Sequence, residues 1–280
     1  MDSLVSTDWL AAHLRTPDLV VLDCSVRVET DASGAFQNIS GRADFEDAHI
    51  PGAGFADLTE ELCDATAKIE FALPDPRAFC DAMGQLGVGD DSRVVLYDSM
   101  LNAWAARVWW MLRWVGFDRA AILDGGLDLW RAEGRPLVGG PSAVRPRTLT
   151  PRPRPHLIAD MTEVRAAVAG NGSQLIDTLP TDSFNGEVAI YGRGGHIPGA
   201  VNVCGMELVD ETGRYRPQAQ LQALHMDVPG DGRKITYCGG GILASSNAFI
   251  MTRLGYRDVA VYTASLQEWA ADPENPMVPA

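Results

Sequence analysis

His49-Ile50-Pro51-Gly52-Ala53 returns in this chain as His196-Ile197-Pro198-Gly199-Ala200, and the segments around the two copies return with it. Upstream of each lies a short apolar stretch ending in aspartate, Val20-Val21-Leu22-Asp23 and Leu175-Ile176-Asp177. Downstream come Val94-Val95-Leu96-Tyr97-Asp98 and Ile235-Thr236-Tyr237-Cys238. A third pair follows, Ala120 to Leu123 and Val259 to Tyr262, each ahead of a tryptophan, Trp130 or Trp269. Features repeated in one order at this length describe a duplicated domain, with loops of different length accounting for the shifts in spacing. Strands alternating with helical stretches predict βαβ units and a parallel sheet in each half. A chain of 280 residues holds two domains of roughly 120 to 150 residues, each with its own core. The expected division is 1–140, a linker over 141–157, and 158–280. The linker reading rests on Pro141, Pro146, Pro151, Pro153 and Pro155 among arginines, a composition that favours an extended, solvated connector.

The two halves differ at one position that bears on chemistry. After the strand Lys234-Ile235-Thr236-Tyr237 the second half has Cys238, then Gly239-Gly240-Gly241 and a helical stretch from Ile242 to Leu254. Glycines let the backbone curl so that successive amides point inward at the sulfur, and the following helix adds the partial positive charge of its N-terminus. Both effects favour thiolate over thiol and mark Cys238 as a nucleophile. The competing reading of the same residues is a buried, inert cysteine beside a glycine turn. The first half has Asp98 at this position, which cannot be a sulfur nucleophile.

The doubled HIPGA, the stretch Ala105-Ala106-Arg107-Val108-Trp109-Trp110-Met111-Leu112, Leu123-Asp124-Gly125-Gly126 and the Cys238 loop together resemble the tandem-domain sulfurtransferases of the rhodanese family. That family includes thiosulfate sulfurtransferase and 3-mercaptopyruvate sulfurtransferase, and the resemblance spans essentially the whole chain. It implies an α/β fold of two tandem rhodanese-like domains, each a small parallel sheet with helices on both faces. It also implies an inactive first half and a catalytic second half. The expected chemistry starts from the Cys238 thiolate, which attacks the outer sulfur of a donor and becomes a persulfide. A thiol or cyanide then removes that sulfur in a ping-pong cycle. The amides of Gly239, Gly240, Gly241, Ile242 and Leu243 are the expected cradle for the anion. No metal or organic cofactor is needed.

The donor is less sharply marked. Thiosulfate enzymes of the family carry basic side chains just after the cysteine, where this chain has Gly239 and Gly240. Mercaptopyruvate enzymes usually carry serine two residues after it and have a proposed Ser/His/Asp set; the matching positions here are Gly240, Phe71 and Asp64. Of the two arginines the family places upstream, one matches Arg193 and the other falls at Ser183, before Phe184. Arg193 is therefore the anion-binding candidate, against a plain surface role. Thiosulfate is slightly favoured over 3-mercaptopyruvate as donor.

A net charge of −14 opposes nucleic acid as a partner, because phosphate neutralisation needs a basic face. No apolar run reaches the roughly 20 residues of a membrane span, and the first residues lack the pattern of a signal peptide. Five irregularly spaced cysteines without a CxxC suit a reducing compartment, so a cytoplasmic protein is expected. Cys24, Cys63, Cys80 and Cys204 lack a glycine loop; packing roles are expected, with a resolving thiol as the alternative for Cys204. Cys and His are not clustered as a zinc site requires. The HIPGA histidines recur in the half without a cysteine, which favours a turn role over a catalytic base; His13 and His225 are expected to pack or lie at the surface. A phosphatase would need an arginine at the end of the loop, where Leu243, Ala244, Ser245 and Ser246 stand. A persulfide carrier serving a protein acceptor and a silent binding module remain open alternatives from other classes.

Overall fold

The computed structural model of the chain describes residues 1–30, 36–142 and 144–279. They form two compact units, one of residues 1–154 with 211–215 and the other of 155–210 with 216–280.

The first unit runs β1 (Leu4–Val5), α1 (Thr7–His13), β2 (Leu19–Asp23), β3 (Val26–Thr30), β4 (Phe36–Ser40), α2 (Arg42–Asp47), β5 (Gly54–Phe55), α3 (Pro76–Gln85), β6 (Arg93–Tyr97), α4 (Ala103–Trp114), β7 (Ala120–Leu123) and α5 (Gly126–Ala132). The second runs β8 (Ile158–Ala159), α6 (Met161–Val168), β9 (Gln174–Asp177), α7 (Thr181–Phe184), β10 (Val201–Asn202), α8 (Gln218–Leu224), β11 (Lys234–Tyr237), α9 (Ile242–Arg253), β12 (Val259–Tyr262) and α10 (Ser265–Trp269), with 3-10 turns at Pro155–Leu157 and Gly205–Leu208. The sheet orders are β1-β7-β6-β2-β5 and β8-β12-β11-β9-β10, and all pairs in both are parallel. Strand for strand the two sheets have one topology, as the duplicated sequence requires. The first unit adds an antiparallel β3–β4 ribbon.

Local sequence explains the elements. The central strands β6 and β11 read Val-Val-Leu-Tyr and Ile-Thr-Tyr with every one of those side chains buried, the composition of a parallel strand covered on both faces. Helix α3 starts at Pro76 with the Asp75 carboxylate accepting from the Arg77 and Ala78 amides, and α6 starts behind Asp160, which accepts from the Glu163 amide. The paired tryptophans occupy matching core positions. Both are fully buried, and their indole N–H groups bond the carbonyls of Pro136 (2.9 Å) and Pro276 (3.0 Å).

The HIPGA repeat proves to be a turn in both units. His49 stacks on Phe45 at 3.9 Å with Nδ1 on the Phe45 carbonyl, and His196 stacks on Phe184 at 3.7 Å with Nδ1 on the Phe184 carbonyl. The amides of Ile50 and Ile197 donate to the phenols of Tyr97 (3.3 Å) and Tyr237 (3.0 Å). The histidines thus tie each turn to the helix before it, and the isoleucine amides tie it to the strand that leads into the Asp98 or Cys238 loop.

The expected solvated linker is corrected by the structure. Side chains from Arg145 to Arg154 are largely exposed, but the backbone is strapped to the first unit. The amides of Arg147, Arg152 and Arg154 donate to the carbonyls of Gly84, Val115 and Trp114, Leu149 is buried, and Arg154 pairs with Asp118. Proline set the extended conformation, while hydrogen bonding to a neighbouring surface, invisible in composition, fixed it in place.

Candidate active site

Cys238 follows β11, the middle strand of its sheet, at the carboxyl end where parallel sheets present their ligand sites. The turn into α9 is tight. Gly241 is the helix N-cap at φ +83°, a left-handed conformation that glycine adopts without strain, and its amide donates to Cys238 Sγ at 3.1 Å. From the other side, α10 holds the loop. Ser265 Oγ accepts the Cys238 amide at 3.1 Å and donates to the Tyr262 carbonyl at 2.7 Å. The Leu266 and Gln267 amides take the carbonyls of Cys238 and Gly239, both at 3.0 Å. Cys238 is 3% exposed, and Gly239, Gly240, Gly241 and Ile242 are buried, with Leu243 half-buried.

At Gly239 the space beside the loop is filled. A Cβ built there would lie 2.6 Å from Tyr191 Cε2 and nearer still to Cζ and Oη, so the absent side chain makes room for the Tyr191 phenol. Arg193, two residues on, is half-buried and donates from Nη1 to the Asp272 carbonyl at 3.1 Å. Tyr191 and Ser265 are the site residues that the sequence reading missed. Tyr191 gave one signal, the single aromatic in the stretch Gly186–Gly195; Ser265 gave only its departure from Gly126 in the first copy.

The corresponding loop of the first unit shows what replaces sulfur. Asp98 is buried, Oδ1 accepts the amides of Met100 (2.8 Å) and Asn102 (3.1 Å), and Oδ2 accepts that of Ala105 (2.8 Å). A carboxylate therefore fills an amide cradle at the head of α4. Desolvation nonetheless pushes the Asp98 carboxyl up to about 7. Gly126 stands where Ser265 stands, at φ +55° against +54°, and a side chain on it would collide with the Asp98 carbonyl.

The remaining candidates fall apart spatially or pack. Burial raises the thiols of Cys24, Cys63, Cys80 and Cys204 above the ordinary cysteine value, that of Cys80 to about 12, so all four are held protonated. Cys204 caps the Gly205–Leu208 turn that packs on α9. His225 is buried with Nε2 on Asn247 Oδ1 at 3.2 Å, and burial lowers it. His13 stacks on Trp9. Phe71 packs on Trp104 and its carbonyl takes Arg107, while Asp64 accepts from Thr66 in a surface turn. Asp177, ending β9, is buried, and desolvation raises it to about 6. Among the described residues, no group of three or more His, Cys, Asp or Glu is placed to hold a metal, and no helix is long and apolar enough to cross a membrane.

The model of the rhodanese-like domain matches residues 6–133 and again 160–272. This chain belongs to the rhodanese family. Its relatives include a probable 3-mercaptopyruvate sulfurtransferase of Pseudomonas aeruginosa, 36% identical over 98% of this chain and 97% of that one. The thiosulfate sulfurtransferase of Rattus norvegicus is 34% identical over 95% of this chain and 91% of its own. The crystal structure of the 3-mercaptopyruvate enzyme SseA from Escherichia coli superposes with a TM-score of 0.84 at 32% identity, covering 95% of this chain and 99% of that one. The chain is accordingly a two-domain sulfurtransferase, and the rhodanese fold read from the repeat is the fold it has.

Proposed function

We propose that Cys238 carries the transferred sulfur as a persulfide, taken from a small anionic donor and passed to a thiol or to cyanide. The thiolate attacks the outer sulfur of the donor. With thiosulfate the S–S bond breaks and its electron pair leaves on sulfite; with 3-mercaptopyruvate the C–S bond breaks and the carbon keeps the pair and takes a proton. The acceptor then attacks the outer sulfur, and the Cys238 thiolate leaves. The observation that carries this reading is the Gly241 amide on Cys238 Sγ at 3.1 Å, at the head of a 12-residue helix. An N–H aimed at sulfur stabilises the same anion before and after loading. The amides of Gly239, Gly240, Ile242 and Leu243 complete the cradle once the persulfide extends the charge outward. Arg193, which spends one Nη1 hydrogen on the Asp272 carbonyl, has further N–H donors to offer the anion.

Relatives of both donor types leave thiosulfate as the first donor to test and 3-mercaptopyruvate as the second. The five free cysteines accord with a cytoplasmic location. Intact mass after incubation with each donor is the direct measurement: a gain of about 32 Da, one sulfur, reversed by cyanide. Cys238→Ser is expected to lose that gain with both donors, and Cys204→Ser to keep it. Loading of the Cys238→Ser protein would remove the assignment.

A further inference from the structure

His225 is a buried histidine that the sulfur chemistry does not use, and its neighbours ask for more hydrogens than a neutral ring has. It follows α8 at 2% exposure, shielded from bulk water. Nδ1 lies 2.7 Å from the Leu221 carbonyl oxygen, and Nε2 lies 3.2 Å from Asn247 Oδ1. Asn247, fully buried in the second turn of α9, extends the line, its Nδ2 donating to the Val203 carbonyl at 3.2 Å. The line begins and ends on carbonyl oxygens, which only accept. Its three contacts need three N–H groups, and the amide of Asn247 supplies one. The ring supplies the other two only as imidazolium.

A neutral ring leaves one contact without a hydrogen. The shorter bond, to Leu221, keeps its proton on Nδ1, so Nε2 is the bare nitrogen and faces an oxygen. Turning the Asn247 amide over gives Nε2 a donor but sets Oδ1 against the Val203 carbonyl. Either orientation makes two contacts out of three.

Neighbouring charges do not decide the matter. Helix α8 carries none, and the one charge of α9 is Arg253 at its far end, over the Phe249 ring. Burial holds Cys204, next to Val203, protonated. Tyr256, ring centre 6.3 Å from that of His225, is kept neutral by burial, and its phenol donates to the His225 and Val228 carbonyls. The Lys234 ammonium stands 5.3 Å from the Tyr256 ring and donates to the carbonyls of Gly230 and Gly232. Asp227, two residues on, is exposed. Burial lowers His225 below the ordinary histidine value, against its bonds to Leu221 and Asn247, which raise it. The neutral ring therefore prevails at neutral pH, and the imidazolium forms in acid.

Both elements that the line reaches bear on the Cys238 loop. Helix α9 begins behind the Gly241 amide that donates to Cys238 Sγ. Val203 leads into the Gly205–Leu208 turn, where a Cβ on Gly205 would lie 2.9 Å from Leu243 Cβ.

We propose that His225 is a positioning residue operated by a proton. As imidazolium it joins α8 through Asn247 to the Val203 carbonyl; as the neutral ring it gives up one of these contacts. The seating of α9 and of the Gly205–Leu208 turn against the Cys238 loop follows the change. The proposal rests on Cys238 as the reactive residue of that loop.

The test follows the full chain, labelled with 15N in histidine and asparagine, by NMR between about pH 8 and about pH 5. His225 Nε2 is expected to move from the shift of a bare ring nitrogen to that of a protonated one while Nδ1 stays protonated. The side-chain amide of Asn247 is expected to move with the same midpoint. Ring shifts that stay constant, or that titrate without Asn247, would overturn the proposal. Alkylation of Cys238 by iodoacetamide over the same range, read at its peptide by mass spectrometry, reports on the loop. The wild-type rate is expected to depart about threefold from a single thiolate titration, at the NMR midpoint. His225→Phe, which keeps a ring without titrating nitrogens, is expected to lose that departure, and so is Asn247→Leu, which cuts the line and keeps His225. A single titration in the wild type would remove the positioning role. Failure of Cys238 to gain sulfur from either donor would sink the persulfide reading instead, and leave these results as they stand.

Discussion

Asp98 and Cys238 occupy equivalent loops, and the difference between them is one of what the backbone amides are given to hold. Both oxygens of Asp98 accept backbone N–H groups, so the first unit satisfies its cradle internally and has no place for an incoming anion. Sulfur at Cys238 takes the Gly241 amide and keeps lone pairs for a donor. Asp177 shows the cost of a buried carboxyl in the second unit, where one oxygen takes the Leu179 amide at 2.8 Å and desolvation raises the group to about 6. A carboxyl raised in the folded state binds more protons there than in the unfolded chain. Its contribution to stability is therefore complete below about pH 4 and is lost as pH rises through about 6. Asp177→Asn, which keeps the acceptor and cannot ionise, is expected to flatten the fall in urea midpoint between those values, a difference of at most about 3 kcal/mol. An unchanged pH profile in the variant would show that Asp177 titrates normally.

At the scale of elements, the loop is a strand end clamped between two helix starts. Helix α9 supplies the amide on sulfur, and α10 supplies three bonds to the loop backbone, one through Ser265 Oγ. Ser265 sits at φ +54° and is fully buried, so its hydroxyl holds a non-glycine residue in a conformation that the first unit gives to Gly126. Ser265→Ala keeps the strained φ and strands the Cys238 N–H, a loss of about 1–3 kcal/mol. Ser265→Gly strands the same N–H but relieves the strain. The alanine variant is expected to have the lower denaturation midpoint, and both are expected to load sulfur more slowly than wild type. Equal midpoints for the two would mean that the left-handed conformation carries no strain here.

For the whole molecule the decisive quantity is charge. A net charge of −14 repels an anionic donor, and Arg193, the candidate anion contact, is bonded to the Asp272 carbonyl. Repulsion between exposed charges is screened beyond a Debye length of about 8 Å at 0.15 M salt. Thiosulfate kcat/KM is therefore expected to rise, by up to about threefold, between about 0.01 and 0.15 M salt. Alkylation by neutral iodoacetamide should stay flat over the same range. A steady fall with salt would point to a cation at the site, with Arg193 the first to mutate.

The sequence by itself determined the duplication and the alternation of strands and helices in each half, and it marked Cys238 as the candidate nucleophile, because these are written in contiguous residues: apolar runs, the HIPGA turns and a cysteine before glycines. Tertiary structure alone decided what lies against that loop. Tyr191 is 47 positions before Cys238 and Ser265 is 27 after it, and neither spacing is periodic. Arg193 matched a pattern yet turned to a carbonyl in the chain's last ten residues, and the proline-rich linker took its place on the first unit through backbone bonds that no composition encodes. Local hydrogen bonding and hydrophobic periodicity are short-range properties that a reader of sequence can follow. Which side chain fills the space a glycine leaves depends on how distant segments pack, and that is settled only when the chain has closed on itself.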